Sequence, residues 1–410
     1  MKQYDDYYNE FALVKKKWGL QGIPFSESAS AFQQDKLDVV FTGRHEEIKD
    51  VLFLLSGQER KRFYIYGWVG IGKTAFILQV LNILKQKSKD TLTAYISLPQ
   101  ESDLPTAAMI ALAKEMVDDE WAQEHLYTMG LTTPKRPVSK EGRLMASALA
   151  IEGERVEKTI PVGKPAFPSL SFNDLLSRAL TKYKRVVIAI DDLDKQDPAR
   201  VRELLRNAQG MLKGGASFLI TGHPSGITRD ILARDLGLFD LAIELKPLNE
   251  ETMFEMLVNY LNSARIKSIA PSDPLSVKPF LQDSAIALCK KSNGVPRWLN
   301  RLGSYVLLKA ASIKAEEIDA KVLTLGFEYA DKQLRGQIGL LPEDYYILDL
   351  VLRKGNISDE NISISDLEQI KLREFSELLP FLERLSQLDL LQRLPSEHAC
   401  TFGPSPLLCK

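Results

Sequence analysis

Apolar positions along this chain fall into three successive regimes. Over residues 62–245, short runs of branched and aromatic residues alternate with longer stretches of helical period. Residues 62–66, 92–97, 185–190, 216–221 and 241–245 read as five strands. The run Arg185-Val-Val-Ile-Ala-Ile190 is apolar from its second residue on, the mark of a central strand buried on both faces. Helices are predicted over 45–55, 75–84, 104–120, 172–183, 198–212 and 227–236, the first of them ahead of the strands. Strands joined by helical crossovers form a doubly wound parallel sheet, so the expected class is α/β. The segment 126–171 breaks this rhythm with glycines and prolines, and reads as an insertion.

After Pro247 the strand signals stop. Residues 250–264, 284–291, 297–311 and 315–335 carry helical periods and predict a helical subdomain. Three further helices, over 344–353, 365–370 and 373–387, precede two short strands at 388–394 and 400–402. That is the element order of a winged helix. Ahead of the sheet, residues 7–18 predict a helix ending in Lys15-Lys16-Lys17, broken at Gly19. The expected division is an accessory segment 1–35, an α/β core 36–247, a helical lid 248–338 and a winged-helix-like domain 339–410.

Chemistry enters between the first strand and the helix that follows it. Gly67-Trp-Val-Gly70-Ile71-Gly72-Lys73-Thr74 is G-x-x-x-x-G-K-T. Its glycines let the backbone fold around phosphates with N–H groups pointing inward, up to Ala75 in the first helical turn. Lys73 then reaches the β- and γ-phosphates, and the Thr74 hydroxyl is placed to ligate Mg2+. Asp191 and Asp192 close the central strand, and in an open parallel sheet ligands bind beyond the carboxyl ends of the strands. Asp191 is the candidate to hold Mg2+ through water, and Asp192 to orient or deprotonate an attacking water. Asp194 reads as a cap for the next helix. Thr221 ends the next strand and offers a neutral hydroxyl at the same edge. Phe41 and Val40, just ahead of the loop, are candidates for contact with a base.

Two arginines complete the candidate set. Arg297 lies in the first turn of a helix opened by Gly294-Val-Pro296, where a cation opposes the helix dipole and needs an anion to justify it. Arg301 is its alternative. Arg234, with Arg229 as rival, precedes the fifth strand and is a candidate to reach a neighbouring subunit's phosphate.

Bulk properties narrow the function classes. The 410 residues are 45% hydrophobic and 26% charged, with a net charge of −1. That is a globular composition, and it argues against whole-surface attraction to nucleic acid or acidic membranes. No apolar run approaches the roughly 20 residues that span a bilayer. The polar, acidic start is no secretory signal, and three cysteines with four scattered histidines suit neither a disulfide framework nor structural zinc. A cytoplasmic protein with reduced thiols is expected. Local charge is uneven. Lys135, Arg136, Lys140 and Arg143 form a basic cluster in the insertion. Residues 343–410 hold 7 basic and 12 acidic residues, a net of −5 against +4 elsewhere. Since phosphate neutralisation dominates DNA affinity, this last domain is expected to contact protein, and any DNA to meet the α/β body.

Taken in order, the glycine loop, Ile190-Asp191-Asp192, Thr221, Arg234 and Gly294-Val-Pro-Arg297 resemble an AAA+ ATPase. Trp18-Gly-Leu, Ile23-Pro-Phe25 and Phe41-Thr-Gly-Arg44-His-Glu-Glu-Ile48 resemble the entry segment of one branch. That branch holds archaeal replication initiators, secretion-type AAA ATPases and transposition regulators, and Lys246-Pro-Leu-Asn-Glu-Glu continues the likeness into the lid. The resemblance spans about residues 18–335. It implies Walker A roles for Lys73 and Thr74, Walker B for Asp191 and Asp192, sensor 1 for Thr221, sensor 2 for Arg297 and an arginine finger at Arg234. It further implies ATP and Mg2+ as cofactors, a homo-oligomer with shared nucleotide sites, and a switch or loader on DNA. Two features depart from the pattern: Asp192 stands where many AAA+ proteins have glutamate, and the 126–171 insertion has no counterpart. The Asp-Asp-Leu-Asp form also resembles STAND-type signalling ATPases, which assemble on ATP and recruit a protein partner without DNA.

Overall fold

The computed structural model describes residues 12, 15–25, 34–67, 70–99, 102–131, 167–193, 198–222, 238–265, 267–337, 342–388, 390–394 and 400–406. The chain forms two compact units. One comprises His45–Tyr66 and Phe76–Glu244; the other comprises Met1–Arg44, Gly67–Ala75 and Leu245–Lys410.

The first unit holds the sheet. In chain order its described elements are α1 (His45–Ser56), β1 (Arg62–Tyr66), α2 (Lys73–Lys87, shared with the glycine loop), β2 (Thr91–Ser97), α3 (Leu104–Glu115), α4 (Glu120–Thr128), α5 (Pro168–Lys182), β3 (Arg185–Asp191), α6 (Pro198–Asn207), α7 (Gln209–Leu212), β4 (Ser217–Gly222) and β5 (Leu241–Glu244). All pairings are parallel, in the order β2-β3-β4-β1-β5. The apolar strands take the interior places. β3 is buried beyond its first residue and β4 throughout, while β5 lies at an edge with only Ile243 buried. Parallel neighbours need long crossovers, and helices supply them. α3 is buried from Leu104 to Ala113 because it packs against both β2 and α5, which explains its alanine-rich sequence.

The expected helix over 104–120 is instead two. Asp119 accepts a hydrogen bond from Ala122 N and caps a new helix, α4, after a break at Met116. The expected helix 198–212 likewise divides at Ala208. Helical structure continues to Thr128 and resumes at Pro168, inside the predicted irregular stretch; residues 132–166 and the expected helix 227–236 lie outside the described residues.

The second unit contains the lid helices α8 (Glu250–Ser263), α9 (Gln282–Lys291), α10 (Pro296–Ser312) and α11 (Ala320–Gln337). The last starts later than the predicted 315, because Lys314 takes a left-handed backbone and Ile318 bridges to Phe280. Residues 18–25 belong to this core. Trp18 Nε1 donates to Ala315 O (3.1 Å), Gln21 N donates to Ala264 O (2.7 Å), and the Phe25 ring fills the space that Gly303 leaves on α10. A short helix, Gln34–Val40, absent from the sequence expectation, packs on α8. Of the expected helix 7–18, residues 12 and 15–17 are helical and Trp18 lies in a turn; the rest lies outside the described residues.

The chain ends in α12 (Pro342–Lys354), α13 (Ile364–Gln369), α14 (Phe375–Gln387) and the antiparallel pair β6 (Leu391–Leu394) and β7 (Thr401–Pro404), with Ile357 bridging to Phe402. Arg384 of α14 forms an ion pair with Asp344 of α12, whose side chain is fully buried. No helix among the described residues is long and apolar enough to cross a membrane.

Candidate functional site

The glycine loop follows β1 directly in the chain and ends in the first turn of α2. Gly70 (φ +82°) and Gly72 (φ +99°) take left-handed backbone that a side chain would strain. Gly67 has a second reason to be glycine: a Cβ there would stand 2.8 Å from Leu245 O and 2.9 Å from the Ile71 side chain. α2 opens at Lys73, so the amides of its first turn have no partner inside the helix and form an anion-binding end. Lys73 is buried, and its ammonium donates to Gly67 O at 2.9 Å, which folds the side chain back over the loop. Thr74 and Ala75 are half-buried beside it. Trp68 and Val69 lie outside the described residues.

Arg297 meets this loop within the same unit. Pro296 opens α10, Arg297 N donates to Gly70 O at 3.2 Å, and a Cβ on Gly70 would lie 2.8 Å from the Arg297 Cβ. The turn before it is held by Leu248 N donating to Gly294 O (2.8 Å), with Gly294 at φ +73°. The lid turn and the glycine loop are therefore in backbone contact, and the cation that the sequence singled out stands at the loop. Arg301 lies one turn further along α10, half-buried.

The candidate acids belong to the sheet unit. Asp191 ends β3 and is 2% exposed. Both its carboxylate oxygens are engaged: Tyr95 OH donates to Oδ2 (3.1 Å) and Thr221 Oγ1 donates to Oδ1 (2.5 Å). Thr221 Oγ1 also accepts from Asp192 N at 3.1 Å. Asp192 takes a left-handed backbone (φ +67°), a conformation that aspartate tolerates better than most residues. Its Oδ2 accepts from Ser97 Oγ at 2.5 Å. Burial, and next the charge of Asp191, push the Tyr95 phenol well above its ordinary range, so it stays protonated as a donor.

Asp191, Asp192 and Thr221, expected at one edge of the sheet, form one hydrogen-bonded network there. Tyr95 and Ser97 were missed. Both lie on the same face of β2, and Ser97 is in register with Asp191; their role is visible once β2 is known to neighbour β3. Gly222, next to Thr221, faces Tyr64, whose hydroxyl occupies the place of a Cβ.

Phe41 follows the short helix, with its amide donating to Leu37 O at 2.8 Å, and it is half-buried. Its neighbour Thr42 accepts from Asn259 of α8 (3.0 Å), so this segment rests on the lid. Arg234, its rival Arg229 and the capping candidate Asp194 lie outside the described residues. No group of three or more His, Cys, Asp or Glu among the described residues is arranged to hold a metal by itself. Thr74 and Asp191 offer hard oxygen donors.

Residues 41–217 match the family model described as an ATPase domain predominantly from Archaea. No curated protein matches in sequence. Among solved structures, the Aeropyrum pernix Orc1 protein in complex with DNA is 15% identical with a TM-score of 0.50, covering 93% of this chain and 94% of that one. A Walker-type ATPase of Pyrococcus abyssi is 12% identical (TM-score 0.49; 90% and 94% covered). The Thermotoga maritima RuvB Holliday junction branch migration motor is 16% identical (TM-score 0.41; 91% and 94% covered). At these identities the likeness is one of fold.

Proposed function

We propose, from the match of residues 41–217 to an archaeal ATPase domain and the fold shared with an Orc1 protein, that this chain is an AAA+ ATPase of the replication-initiator-like branch that binds ATP with Mg2+, hydrolyses it, and uses nucleotide state to assemble and act on DNA. The supporting observation is the Tyr95–Asp191–Thr221–Asp192 network at the carboxyl end of β3, built on a chain that also carries the glycine loop. In this reading Gly67, Gly70, Ile71, Gly72 and Ala75 wrap the phosphates with backbone. Lys73 turns from Gly67 O to the β- and γ-phosphates. Thr74 and Asp191 hold Mg2+, which when bound neutralises the charge on the phosphates. Asp192 orients the attacking water as its hydrogen-bond acceptor, and Thr221 fixes the two acids relative to each other. Arg297 approaches from the lid turn, and Arg234, or Arg229, serves a neighbouring subunit's nucleotide. Phe41 contacts the base.

The winged-helix-like end is assigned to a protein partner. Its third helix, α14, exposes Glu377 and Glu383, while Arg384 is taken by Asp344. A helix read into the major groove needs free cations there. The same acidic face favours a second reading, a STAND-like signalling ATPase that assembles on ATP and recruits protein without DNA.

Sizing of the full chain with and without ATP, in the presence and absence of duplex DNA, separates the two. The first reading expects nucleotide-dependent assembly and duplex retention at low salt. Assembly without any duplex retention selects the second. An Arg234→Ala variant with unchanged assembly and turnover removes that residue from the shared site.

A further inference from the structure

The amino edge of the sheet carries a chemistry that ATP binding does not use. In a parallel sheet each crossover helix ends where the next strand begins, so helix C-termini gather at this edge. α2 ends in Lys85 and Lys87, and Lys89 follows before β2. α5 ends in Lys182, and Lys184 and Arg185 lead into β3. Lys213 stands between α7 and β4, and Arg60-Lys61-Arg62 opens β1.

These positions form one continuous rim. Arg185 N donates to Asp90 O (3.2 Å), Arg60 Nη2 to Lys184 O (3.0 Å), Phe218 N to Lys61 O (2.9 Å) and Asp240 N to Arg62 O (2.8 Å). Along it, among the described residues, stand ten cations and three carboxylates. Each carboxylate is matched to one cation: Glu59 to Lys61, Asp90 to Lys184 and Asp240 to Arg62. Lys85, Lys87, Lys89, Lys182 and Lys213 are exposed and have no carboxylate partner among the described residues. Lysine in the last turn of a helix complements its dipole, which accounts for Lys85, Lys87 and Lys182. It does not account for Lys89, Lys184 or the Arg60–Arg62 triplet. In a chain of net charge −1, this rim concentrates a local +7.

We propose that this rim binds the phosphate backbone of duplex DNA. Five strands at about 4.8 Å spacing make it ~19 Å long, a length over which duplex DNA presents about 11 phosphates. Tyr183 and Phe239 at the rim are half-buried, and Phe53 is exposed in the last turn of α1, at the end of which the Ser56 and Gly57 carbonyls accept from Arg185. One such ring does not make a row of platforms for successive unstacked bases. Contact limited to phosphates positions a duplex without reading its sequence. This inference rests on the DNA reading above and names the surface that serves it, at the opposite edge from Asp191.

The test uses the full chain and a short fluorescent duplex, with affinity measured between about 50 and 200 mM salt. Two variants neutralise separate parts of the rim: Lys85→Gln/Lys87→Gln/Lys89→Gln, and Lys182→Gln/Lys213→Gln. Each lost phosphate contact lowers the slope of log K against log salt by ~0.9. The triple variant is therefore expected to lose ~2.7 of slope and the double ~1.8, with ATP affinity unchanged. Wild type that binds the duplex while both variants keep its slope overturns the rim and leaves the DNA reading standing. Wild type with no duplex affinity at low salt overturns both. Poly-glutamate competing as well as DNA at equal charge overturns nucleic acid as the occupant.

Discussion

The two edges of the sheet are made by the same strands, yet they hold their charges in opposite ways. At the carboxyl edge Asp191 is buried and both its oxygens are spoken for by Tyr95 and Thr221. At the amino edge the charges are mostly lysines on flexible stems in water. The difference follows from strand polarity. β3 ends in the acids themselves, held by neighbouring strands, whereas the amino ends of the strands follow the last turns of helices that end in lysine. Buried, hydrogen-bonded groups keep fixed positions and suit chemistry, because their orientation needs no reorganisation when charge develops. Solvated cations lack that precision but neutralise a polyanion well. Substitutions at the two edges should therefore differ in kind as well as size.

The largest effect is expected at the carboxyl edge. Asp192→Asn keeps the size and the left-handed backbone but removes the negative acceptor. Turnover should fall by about 10²–10³, roughly 3–4 kcal/mol of barrier, with ATP affinity kept. A variant that hydrolyses ATP as fast as wild type would take Asp192 out of the reaction. Gly222→Ala comes next and reads stability. Its new methyl would need the space of the Tyr64 hydroxyl, and Tyr64 is 1% exposed among Tyr66 and Phe239. Overpacking of this kind costs about 3 kcal/mol, seen as a lower urea midpoint with unchanged slope. An unchanged midpoint would show that this end of β4 relaxes freely.

Thr221→Val follows. It preserves shape and removes both bonds that tie Asp191 Oδ1 to Asp192 N. A buried carboxylate oxygen and a backbone amide lose a partner, at about 2 kcal/mol in urea unfolding. Asp191 retains Tyr95, so a Tyr95→Phe/Thr221→Val double variant should lose more than the two single changes together. Strict additivity would mean that the two donors act on Asp191 independently.

The contrast also explains what was legible beforehand. The glycine loop, Asp191, Asp192 and Thr221 can be read in a linear sequence because each is fixed by its own strand: the residue after the last apolar position lands at the carboxyl edge. Tyr95 and Ser97 depend on which strand lies beside β3, and one sequence does not encode neighbour order locally. Arg297 stands out in the sequence through its conflict with the helix dipole, whereas its contact with Gly70 shows only in the fold. Residues 18–25 read as a lead-in, yet Phe25 is a lid core residue, paired edge-on with Tyr260 and Phe280. Nothing in a short aromatic-bearing loop announces the glycine on a distant helix that receives it. The breaks at Met116 and Ala208 escaped because capping by Asp119, or a single non-helical residue at Ala208, barely disturbs an apolar period. The amino-edge rim is dispersed over four segments and only topology gathers it.

The smallest effect is expected at the amino edge, from Asp240→Asn. Burial alone would raise this carboxyl, but hydrogen bonds from the Arg62 side chain and backbone outweigh it and hold Asp240 below its ordinary value of 3.8. A lowered folded value means that the contribution is complete above 3.8 and disappears as pH falls through the folded value. The pair is partly solvated, so its worth is screened and should stay below about 1 kcal/mol. Wild type and Asp240→Asn should thus differ slightly in urea at neutral pH and converge at acid pH. The substitution also releases Arg62 and adds one positive charge to the rim, so duplex affinity at low salt should rise slightly. A loss of stability as large as that for Gly222→Ala would mean that the amino edge is as tightly built as the carboxyl edge. The contrast between a locked acidic edge and a solvated basic one would then fail.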